Sequence, residues 1–361
     1  MAAPAPSKTA VRSIPERIGK YVIIKEVGKG STGTVYLSHD PYYGRDVAIK
    51  VYGIEASGED EKSRVTRKMF LSEAHMVGML QHPNILPIYD AGEENGRCYI
   101  VTEHVHGART LAAYCKPDNL LRIDDVVEIM FKCAKALHYA HSRGVIHRDI
   151  KPQNIMVGAY GQVYLMDWGV AQTQRERDVA RSSRVQMVPS GTRSAGASTD
   201  SLVGTPAYMA PEQAAGDTDR VDARSDIYSL CVLFHELLTL RYYLADKQTL
   251  QGLLFAVMNE PPPDLHAARL PQEFIHFLRR GLSKDPAQRF QSVAQMLDEL
   301  QAIAEGRIHV ECAFTAMRRT GNEFNRMVRD RPMMALTAFG LLIGMALFGV
   351  VAAVLMIALS R

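Results

Sequence analysis

Two acidic side chains, one amide and one lysine fall within a single predicted loop and the hairpin that follows it. The hairpin is predicted from two short, β-prone apolar runs, Ile155–Val157 and Val163–Leu165, which glycines separate. Because the two ends of a hairpin lie side by side, Asn154 and Asp167 are expected at the same end of the paired strands. The loop reads His147-Arg148-Asp149-Ile150-Lys151-Pro152-Gln153-Asn154, and Asp167-Trp168-Gly169 follows the hairpin.

These side chains are the types that a magnesium-dependent phosphoryl transfer requires. A carboxylate and an amide oxygen at one end of a hairpin suit Mg²⁺, which prefers oxygen ligands and keeps phosphate and water in its shell. Asp149 is then free to accept or orient a proton from an incoming hydroxyl. Lys151 can stabilise the transferring phosphoryl group. The alternative is that Asp149 and Asp167 are ordinary turn residues.

The whole stretch resembles the catalytic loop and the metal-binding motif of the protein kinases. The lysine two residues after Asp149 is similar to the serine/threonine class rather than to the tyrosine class. The resemblance implies catalytic roles for Asp149 and Lys151 and metal ligation by Asn154 and Asp167. Trp168 departs from the family pattern, which usually has phenylalanine at this position. An aromatic side chain still fills the position, so the metal site is expected to persist, and a buried indole N–H needs a partner.

A glycine-rich motif, Gly28-Lys29-Gly30-Ser31-Thr32-Gly33, follows a predicted strand near the start of the chain. The GxGxxG pattern also occurs in dinucleotide-binding folds, in which a helix begins at the third glycine. Here Thr34-Val35-Tyr36-Leu37 continues as a β-branched and aromatic strand, so the glycines are expected at the tip of a hairpin. Without side chains, the backbone N–H groups there can lie over phosphates. The alternative is a plain glycine-rich hairpin.

Lys50 lies within the apolar strand Val47-Ala48-Ile49-Lys50-Val51, and an inward-pointing ammonium group there needs a partner. Two partners are available: ATP phosphates, and an acid on the next helix, which is predicted over about 62–80. The kinase resemblance implies that Lys50 binds the phosphates and that Glu73 forms the ion pair that positions it. The alternatives are a strand-edge lysine that reaches solvent and an ordinary exposed glutamate.

Other positions of the nucleotide site are implied by the resemblance alone. Thr102 takes the gatekeeper position, and Glu103 and Val105 would bind adenine through their backbone groups. The full set of residues expected to bind ATP is Gly28, Lys29, Gly30, Gly33, Val35, Ala48, Lys50, Glu73, Glu103 and Val105.

The segment that follows Asp167 is long for a loop, and its middle, about 172–201, is rich in Arg, Ser, Thr, Gly and Ala. This composition favours disorder in the unmodified chain. Arg148 is expected to bind a phosphate on this segment and thereby to order it, as regulation by autophosphorylation would require. The alternative is a tolerated insertion. The expected phosphate acceptors are Thr192, Ser194, Ser198, Thr199 and Ser201.

The end of this segment, 204–212, resembles the substrate-docking end of the same segment in the kinases. Thr205 is expected to contact the catalytic aspartate and lysine. The resemblance also implies that Asp226 braces the backbone of the catalytic loop and that Arg289 pairs with Glu212. We expect these last three residues to have scaffolding roles.

Composition excludes several other classes of protein. A hydrophobic content of 47% and a net charge of +3 argue against a disordered chain and against a nucleic-acid-binding protein. The five cysteines are scattered without a CxxC pair, which indicates reduced thiols rather than a zinc site or a disulfide framework. Residues 1–20 are expected to be a flexible, mildly basic segment without the apolar run of a signal peptide.

Residues 333–359 are almost entirely apolar and carry no charge, over more than the ~20 residues that a helix needs to cross a bilayer. A transmembrane helix is predicted, and the alternative is a buried core helix. Gly340 and Gly344 have the GxxxG spacing that allows a homodimer, although apolar segments also contain this spacing by chance. Basic residues precede the apolar run and so favour a cytoplasmic location for the domain before it. They are Arg318, Arg319, Arg326, Arg329 and Arg331.

The sequence therefore predicts an α+β, two-lobed protein kinase fold, with a small β-rich N-lobe and a larger helical C-lobe, plus one transmembrane helix. The expected boundaries are 1–20 for the flexible segment, 21–304 for the kinase domain, 305–332 for a basic juxtamembrane linker and 333–359 for the transmembrane helix. The chain looks most like the bacterial members of the eukaryotic-like serine/threonine protein kinases.

The resemblance also implies cofactors, partners and a location. ATP is expected with Mg²⁺, or with Mn²⁺ in its place. The expected partners are protein substrates and the lipid bilayer, without nucleic acid, at a cell membrane that the chain crosses once with its kinase domain in the cytoplasm. Two alternatives remain open. One is a membrane-anchored pseudokinase that acts as a scaffold; the other is a small-molecule kinase, against which the docking segment at 204–212 argues.

Overall fold

A computed structural model of the chain describes residues 15–30, 33–52, 70–71, 74–168, 206–261, 265 and 270–305. Several sequence predictions lie outside these residues: Glu73, Thr205, the linker beyond 305, the apolar segment 333–359, and the expected phosphate acceptors Thr192, Ser194, Ser198, Thr199 and Ser201. None of the described helices combines the length and the apolar composition needed to cross a bilayer.

The N-terminal lobe is an antiparallel sheet of six strands in the order β1-β2-β3-β4-β6-β5. One face carries a buried apolar cluster in which Val47, Ile49 and Val101 have no exposed surface. The strands are β1 (Arg17–Ile18), β2 (Tyr21–Gly30), β3 (Gly33–Asp40), β4 (Arg45–Tyr52), β5 (Ile88–Glu94) and β6 (Arg97–Glu103).

The glycine-rich motif joins β2 to β3, and the last pair of the ladder is Gly30 with Gly33. The chain continues as a strand after Gly33 rather than as a helix, so the predicted hairpin is confirmed. Gly33 also allows a close approach to β4, because a Cβ atom at this position would overlap the carbonyl oxygen of Val51.

Gly33→Ala is expected to lower the free energy of unfolding by about 1–3 kcal/mol, because the added methyl group must displace the backbone of β4. Gly28→Ala is the matched control, since a Cβ atom on Gly28 meets no atom of the described residues within 4 Å. Thermal denaturation of both variants checks the prediction. Equal melting temperatures for the two variants would contradict it.

Two sequence patterns predict elements that the structure contains only in part. The apolar run at 85–89 predicts the start of a strand, and β5 begins at Ile88, within that run. Pro87 interrupts the run because it has no N–H to donate to a ladder, and Ile85 forms only an isolated bridge with Leu165. The sequence pattern is helical from Leu111 onward and most regular over about 124–142. The structure has two short 3-10 turns in the first part and a long α-helix at Ile123–His141, which confirms the second part.

A three-stranded sheet in the order β7-β8-β9 supports the loop identified from the sequence. Its strands are β7 (Arg109–Thr110), β8 (Ile155–Val157) and β9 (Val163–Leu165). The register pairs Ile155 with Leu165, so the predicted hairpin is confirmed.

The C-terminal lobe is mainly helical, which completes the two-lobed arrangement expected from the sequence. The helix α3 is almost completely buried along its length and begins after Asp222, whose side chain accepts the Arg224 N–H. This cap places the start of α3 three residues before Asp226. The helices are α1 (Ile123–His141), α2 (Pro211–Ala214), α3 (Ala223–Thr239), α4 (Leu250–Asn259), α5 (Gln272–Gly281) and α6 (Val293–Ala304).

The chain divides into two compact units. Residues up to Asp264, together with Arg280–Leu297, form the unit that contains every site residue discussed below. Leu265–Arg279 and the chain from Asp298 form the second unit.

None of the four cysteines within the described residues forms a disulfide. Burial raises the pKa of the Cys133 and Cys231 thiols to about 12, so both remain protonated at neutral pH. These thiols are packing residues, as their scattered positions in the sequence suggested.

His235 on α3 makes the stability of the C-terminal lobe dependent on pH. The side chain is buried, its Nδ1 atom has no hydrogen-bond partner among the described residues, and burial lowers its pKa from 6.5 to about 4. The unfolded chain therefore binds the proton first as the pH falls. The stability that the neutral ring contributes is present above pH 6.5 and is lost between pH 6.5 and about 4.

Between pH 6.5 and 4, this one histidine is expected to remove about 3 kcal/mol from the free energy of unfolding. Burial also lowers the pKa of His82 and His147, so the measurement is the difference between the unaltered chain and His235→Leu in urea denaturation across these pH values. The variant should show a flatter pH profile. Parallel profiles would refute the assignment to His235.

Candidate active site

Two of the predicted catalytic and metal-binding side chains, Lys151 and Asn154, converge on a third, Asp149. Its carboxylate oxygen Oδ2 accepts a hydrogen bond from Lys151 Nζ at 2.7 Å and another from Asn154 Nδ2 at 2.9 Å. Asn154 Nδ2 also reaches the Asp149 carbonyl oxygen at 2.7 Å. Within the described part of the chain, Oδ1 of Asp149 accepts no hydrogen bond, so one carboxylate oxygen remains available for an incoming hydroxyl.

The backbone before Asp149 is fixed by the buried carboxylate of Asp226 at the start of α3. This carboxylate accepts the N–H groups of His147 and Arg148, both at 2.8 Å, and His141 Nε2 at 2.7 Å. Arg148 has a left-handed φ of 65°, a strained conformation that the surrounding contacts maintain. Burial alone would raise the pKa of Asp226, but the interactions with His141 and His147 outweigh it and lower the pKa. The predicted bracing role of Asp226 is confirmed.

His147 links the catalytic loop to the residues that follow the hairpin. Its Nδ1 atom lies 3.2 Å from the Asp149 N–H, which donates to it, so the ring proton is assigned to Nε2, which donates to the Met166 carbonyl oxygen at 3.1 Å. Burial lowers the pKa of His147, which favours this neutral form. The ring also packs against Trp168, with 4.7 Å between the ring centroids.

Trp168 is buried, with 3% of its surface exposed. Its indole Nε1 donates a long hydrogen bond of 3.4 Å to the carbonyl oxygen of Leu165, the last residue of β9. The partner that a buried indole was expected to need is therefore present. The same carbonyl oxygen accepts the Leu86 N–H at 3.1 Å, which connects the end of the hairpin to the chain that enters β5.

Lys50 on β4 forms an ion pair with Asp167, with 2.6 Å between Nζ and Oδ2. Asp167 has a left-handed φ of 58°. Both residues are predicted site residues, but no local sequence pattern predicts this contact, because 117 positions separate them. The expected partner Glu73 lies outside the described residues.

The residues Asn154 and Asp167 fit the magnesium site that the sequence suggested. The Met166 N–H donates to the Asn154 carbonyl oxygen at 2.9 Å, which extends the hairpin by one pair and brings Asp167 next to Asn154 along the ladder. Asn154 uses its amide N–H groups on Asp149, and no described residue donates to its Oδ1 atom. One amide oxygen and one carboxylate match the preference of Mg²⁺ for oxygen ligands.

The residues expected around adenine lie on β3, on β4 and just after β6. Val35 pairs with Lys50 across β3 and β4, and Ala48 pairs with the gatekeeper Thr102 across β4 and β6. The Glu103 N–H donates to the Pro87 carbonyl oxygen at 3.2 Å. The Val105 N–H donates to no acceptor among the described residues, which leaves it available to a ligand.

Arg148 presents a buried donor beside the catalytic loop. Its Nε atom has no hydrogen-bond partner among the described residues, and buried donors of this kind are rare. Gln213 Nε2 donates to the Arg148 carbonyl oxygen at 2.9 Å and so connects the loop to α2.

Glu212 and Arg289 form a bidentate, fully buried ion pair. The two N···O distances are both 2.8 Å, and the exposed fractions of the side chains are 2% for Glu212 and 0% for Arg289. Ser225 Oγ donates to the same carboxylate at 2.6 Å. Burial alone would raise the pKa of Glu212, but hydrogen bonds from Arg289 and Ser225 outweigh it and lower the pKa. The pairing predicted from the sequence is confirmed.

Residues 21–300 match the family model described as the protein kinase domain. The chain belongs to the protein kinase family. The crystal structure of the Mycobacterium tuberculosis PknI kinase domain superposes with a TM-score of 0.59 at 26% sequence identity, covering 81% of this kinase and 99% of the PknI chain.

Two curated relatives of this kinase are named serine/threonine-protein kinases. PknD of Protochlamydia amoebophila is 32% identical over 326 residues, which cover 84% of this chain and 32% of the relative. PknB of Mycobacterium leprae is 33% identical over 297 residues, which cover 81% of this chain and 44% of the relative. The kinase thus spans about a third to a half of the length of the curated relatives that it matches.

Proposed function

We propose that this kinase transfers the γ-phosphoryl group of ATP to serine and threonine hydroxyls of proteins. The convergence of Lys151 and Asn154 on one oxygen of Asp149, with the other oxygen left available, carries the proposal. The names of the curated relatives support the serine/threonine class, as does the lysine two residues after Asp149.

The available oxygen of Asp149 accepts or orients the proton of the attacking hydroxyl. Lys151 is held beside it by the 2.7 Å ion pair and stabilises the negative charge of the phosphoryl group. His147 and Asp226 orient the loop so that Asp149 needs no rearrangement before the reaction.

The nucleotide site is formed by the glycine-rich hairpin, by Lys50 and by the residues after β6. Lys50 holds the phosphates, and the available N–H of Val105 and the backbone of Glu103 bind adenine, with Val35 and Ala48 lining the site. Asn154 and Asp167 would hold Mg²⁺, which when bound neutralises charge on the phosphates. Mn²⁺ takes the same oxygen ligands.

Phosphorylation of the segment at 172–201 regulates the kinase in this proposal. Support comes from the buried Nε atom of Arg148, which has no partner in the described part of the chain and suits a phosphate oxygen, and from the serine- and threonine-rich composition of the segment. Thr205 contacts Asp149 and Lys151 when a protein substrate docks.

A membrane tether at 333–359 completes the proposal. Its support is the uncharged apolar composition of this segment, together with the arginines in the linker 305–332, which favour a cytoplasmic kinase domain in a single-pass protein. The spacing of Gly340 and Gly344 supports a homodimer through this segment.

The test uses the full chain in lipid nanodiscs with Mg²⁺, ATP and a generic protein substrate. Phosphosites are mapped by mass spectrometry for the unaltered chain, for Lys50→Met and for the exposed-lysine control Lys116→Met. We expect phosphoserine and phosphothreonine with the unaltered chain and the control, and none with Lys50→Met. Binding of ATP without any phosphate transfer by the unaltered chain would instead establish a scaffold function.

A further inference from the structure

Tyr52 lies on the same face of β4 as Lys50. Side chains two residues apart on a strand point to the same side, so Ala48, Lys50 and Tyr52 face the nucleotide site while Val47 and Ile49 enter the apolar cluster on the other face. Tyr52 is the last residue of β4, and only 5% of its surface is exposed.

The Tyr52 ring contacts Lys50 and Phe70, and the Tyr52 backbone pairs with the glycine-rich hairpin. The Lys50 ammonium nitrogen lies over the ring, 5.1 Å from its centroid. Phe70, on the helical residues 70–71, meets the ring edge-on with 5.0 Å between the centroids and an interplanar angle of 68°. The strand partner of Tyr52 is Gly33, the third glycine of the glycine-rich hairpin.

The ring has the electronic character that a nearby cation requires. The face of the Tyr52 ring carries negative charge density, as the face of any aromatic ring does, because of its quadrupole. An ammonium group within about 6 Å of such a face is attracted to it.

The geometry leaves Lys50 able to bind a second anion. An ammonium group has three N–H donors. One donates to Asp167 at 2.6 Å, and the contact with the ring face occupies no donor in a hydrogen bond. Asp167 and Tyr52 thus fix the position of the nitrogen, and no other described residue accepts a hydrogen bond from it, so two donors remain for phosphate oxygens.

We propose that Tyr52 is a positioning residue for nucleotide binding, which holds the Lys50 ammonium group through a cation–π contact and joins it to the helix at Phe70 and to the glycine-rich hairpin. This inference rests on the proposed function, because it assumes that Lys50 binds the ATP phosphates. It differs from simple packing, since it requires the face of an aromatic ring and not only apolar volume.

Four variants of the full chain in lipid nanodiscs distinguish a positioning role of the Tyr52 ring from simple apolar packing. Tyr52→Phe keeps the ring, whereas Tyr52→Leu and Tyr52→Met keep apolar volume without it, and the methionine variant serves if the leucine variant does not fold. Tyr36→Leu is the matched control, because Tyr36 is a half-buried tyrosine of the same sheet that packs against the apolar cluster on the opposite face. Trp168 is the only tryptophan of the chain, so its fluorescence reports MgATP binding beside Asp167.

We expect Tyr52→Leu and Tyr52→Met to raise the Kd for MgATP about three- to tenfold, whereas Tyr52→Phe and Tyr36→Leu change it less than about twofold. Melting temperatures are recorded in parallel. If Tyr52→Leu and Tyr52→Met lower the melting temperature as Tyr36→Leu does but keep the Kd of the unaltered chain, Tyr52 only packs and the inference is overturned.

The same measurements distinguish a failure of the proposed function from a failure of the inference about Tyr52. If the unaltered chain binds MgATP but transfers no phosphate, the catalytic proposal is wrong, and the Kd values still decide the role of Tyr52. If the unaltered chain binds no MgATP at all, the nucleotide site and the inference built on it are both wrong.

Discussion

Asp149→Asn is expected to lower kcat for phosphoryl transfer by about 10²- to 10⁴-fold, the range in which general base catalysis contributes. Asparagine keeps the size of the side chain and an oxygen that can accept from Lys151 and Asn154, so the loop should retain its shape. The amide, however, cannot take a proton from the attacking hydroxyl. Steady-state phosphorylation of a protein substrate by the full chain measures kcat, and calorimetric titration with MgATP measures affinity.

The control for this variant is Asp125→Asn, which makes the same chemical change at an exposed acid in the first turn of α1. It should leave both kcat and ATP affinity unchanged. Because Asp149 acts on the hydroxyl and not on the nucleotide, Asp149→Asn should also retain ATP affinity. A kcat within tenfold of the unaltered chain would exclude Asp149 as the base.

Arg289→Met is expected to destabilise the kinase by about 3–5 kcal/mol, because it leaves the Glu212 carboxylate buried without its cationic partner. Arg289 also donates to the carbonyl oxygens of Ser283, Arg224 and Lys284 at 2.8, 3.0 and 3.1 Å, and these acceptors lose their donor too. Chemical denaturation of the full chain measures the loss of free energy.

Two further variants separate the charge effect from the loss of packing. Arg241→Met, at an exposed position of the same lobe, should change the free energy of unfolding by less than about 0.5 kcal/mol. Adding Glu212→Gln to Arg289→Met removes the unpaired charge and should recover part of the stability. A double variant no more stable than Arg289→Met alone would show that the lost backbone contacts, and not the unpaired carboxylate, account for the destabilisation.

The sequence predicted most of the elements that carry the site. The hairpin of β8 and β9, the strand after the glycine-rich motif, α1 and the buried pair of Glu212 and Arg289 are all present in the structure. The predicted elements differ from the observed ones where a proline interrupts the sequence pattern. Pro87 has no N–H to donate to a ladder, so β5 begins only after it. The first part of the helical pattern, from Leu111, is interrupted by Pro117 and forms 3-10 turns.

The sequence by itself determined which side chains have the chemistry of the site, because the motifs from His147 to Asn154 and around Asp167 depend on spacing within a loop and one hairpin. Only the tertiary structure decided two contacts between distant or unforeseen groups: Lys50 meets Asp167, and the ring of Tyr52 lies beneath the Lys50 ammonium group. Spacing along the chain specifies such local contacts as turns and strand pairs. Contacts between distant segments depend on how buried surfaces pack, and no short stretch of sequence encodes that.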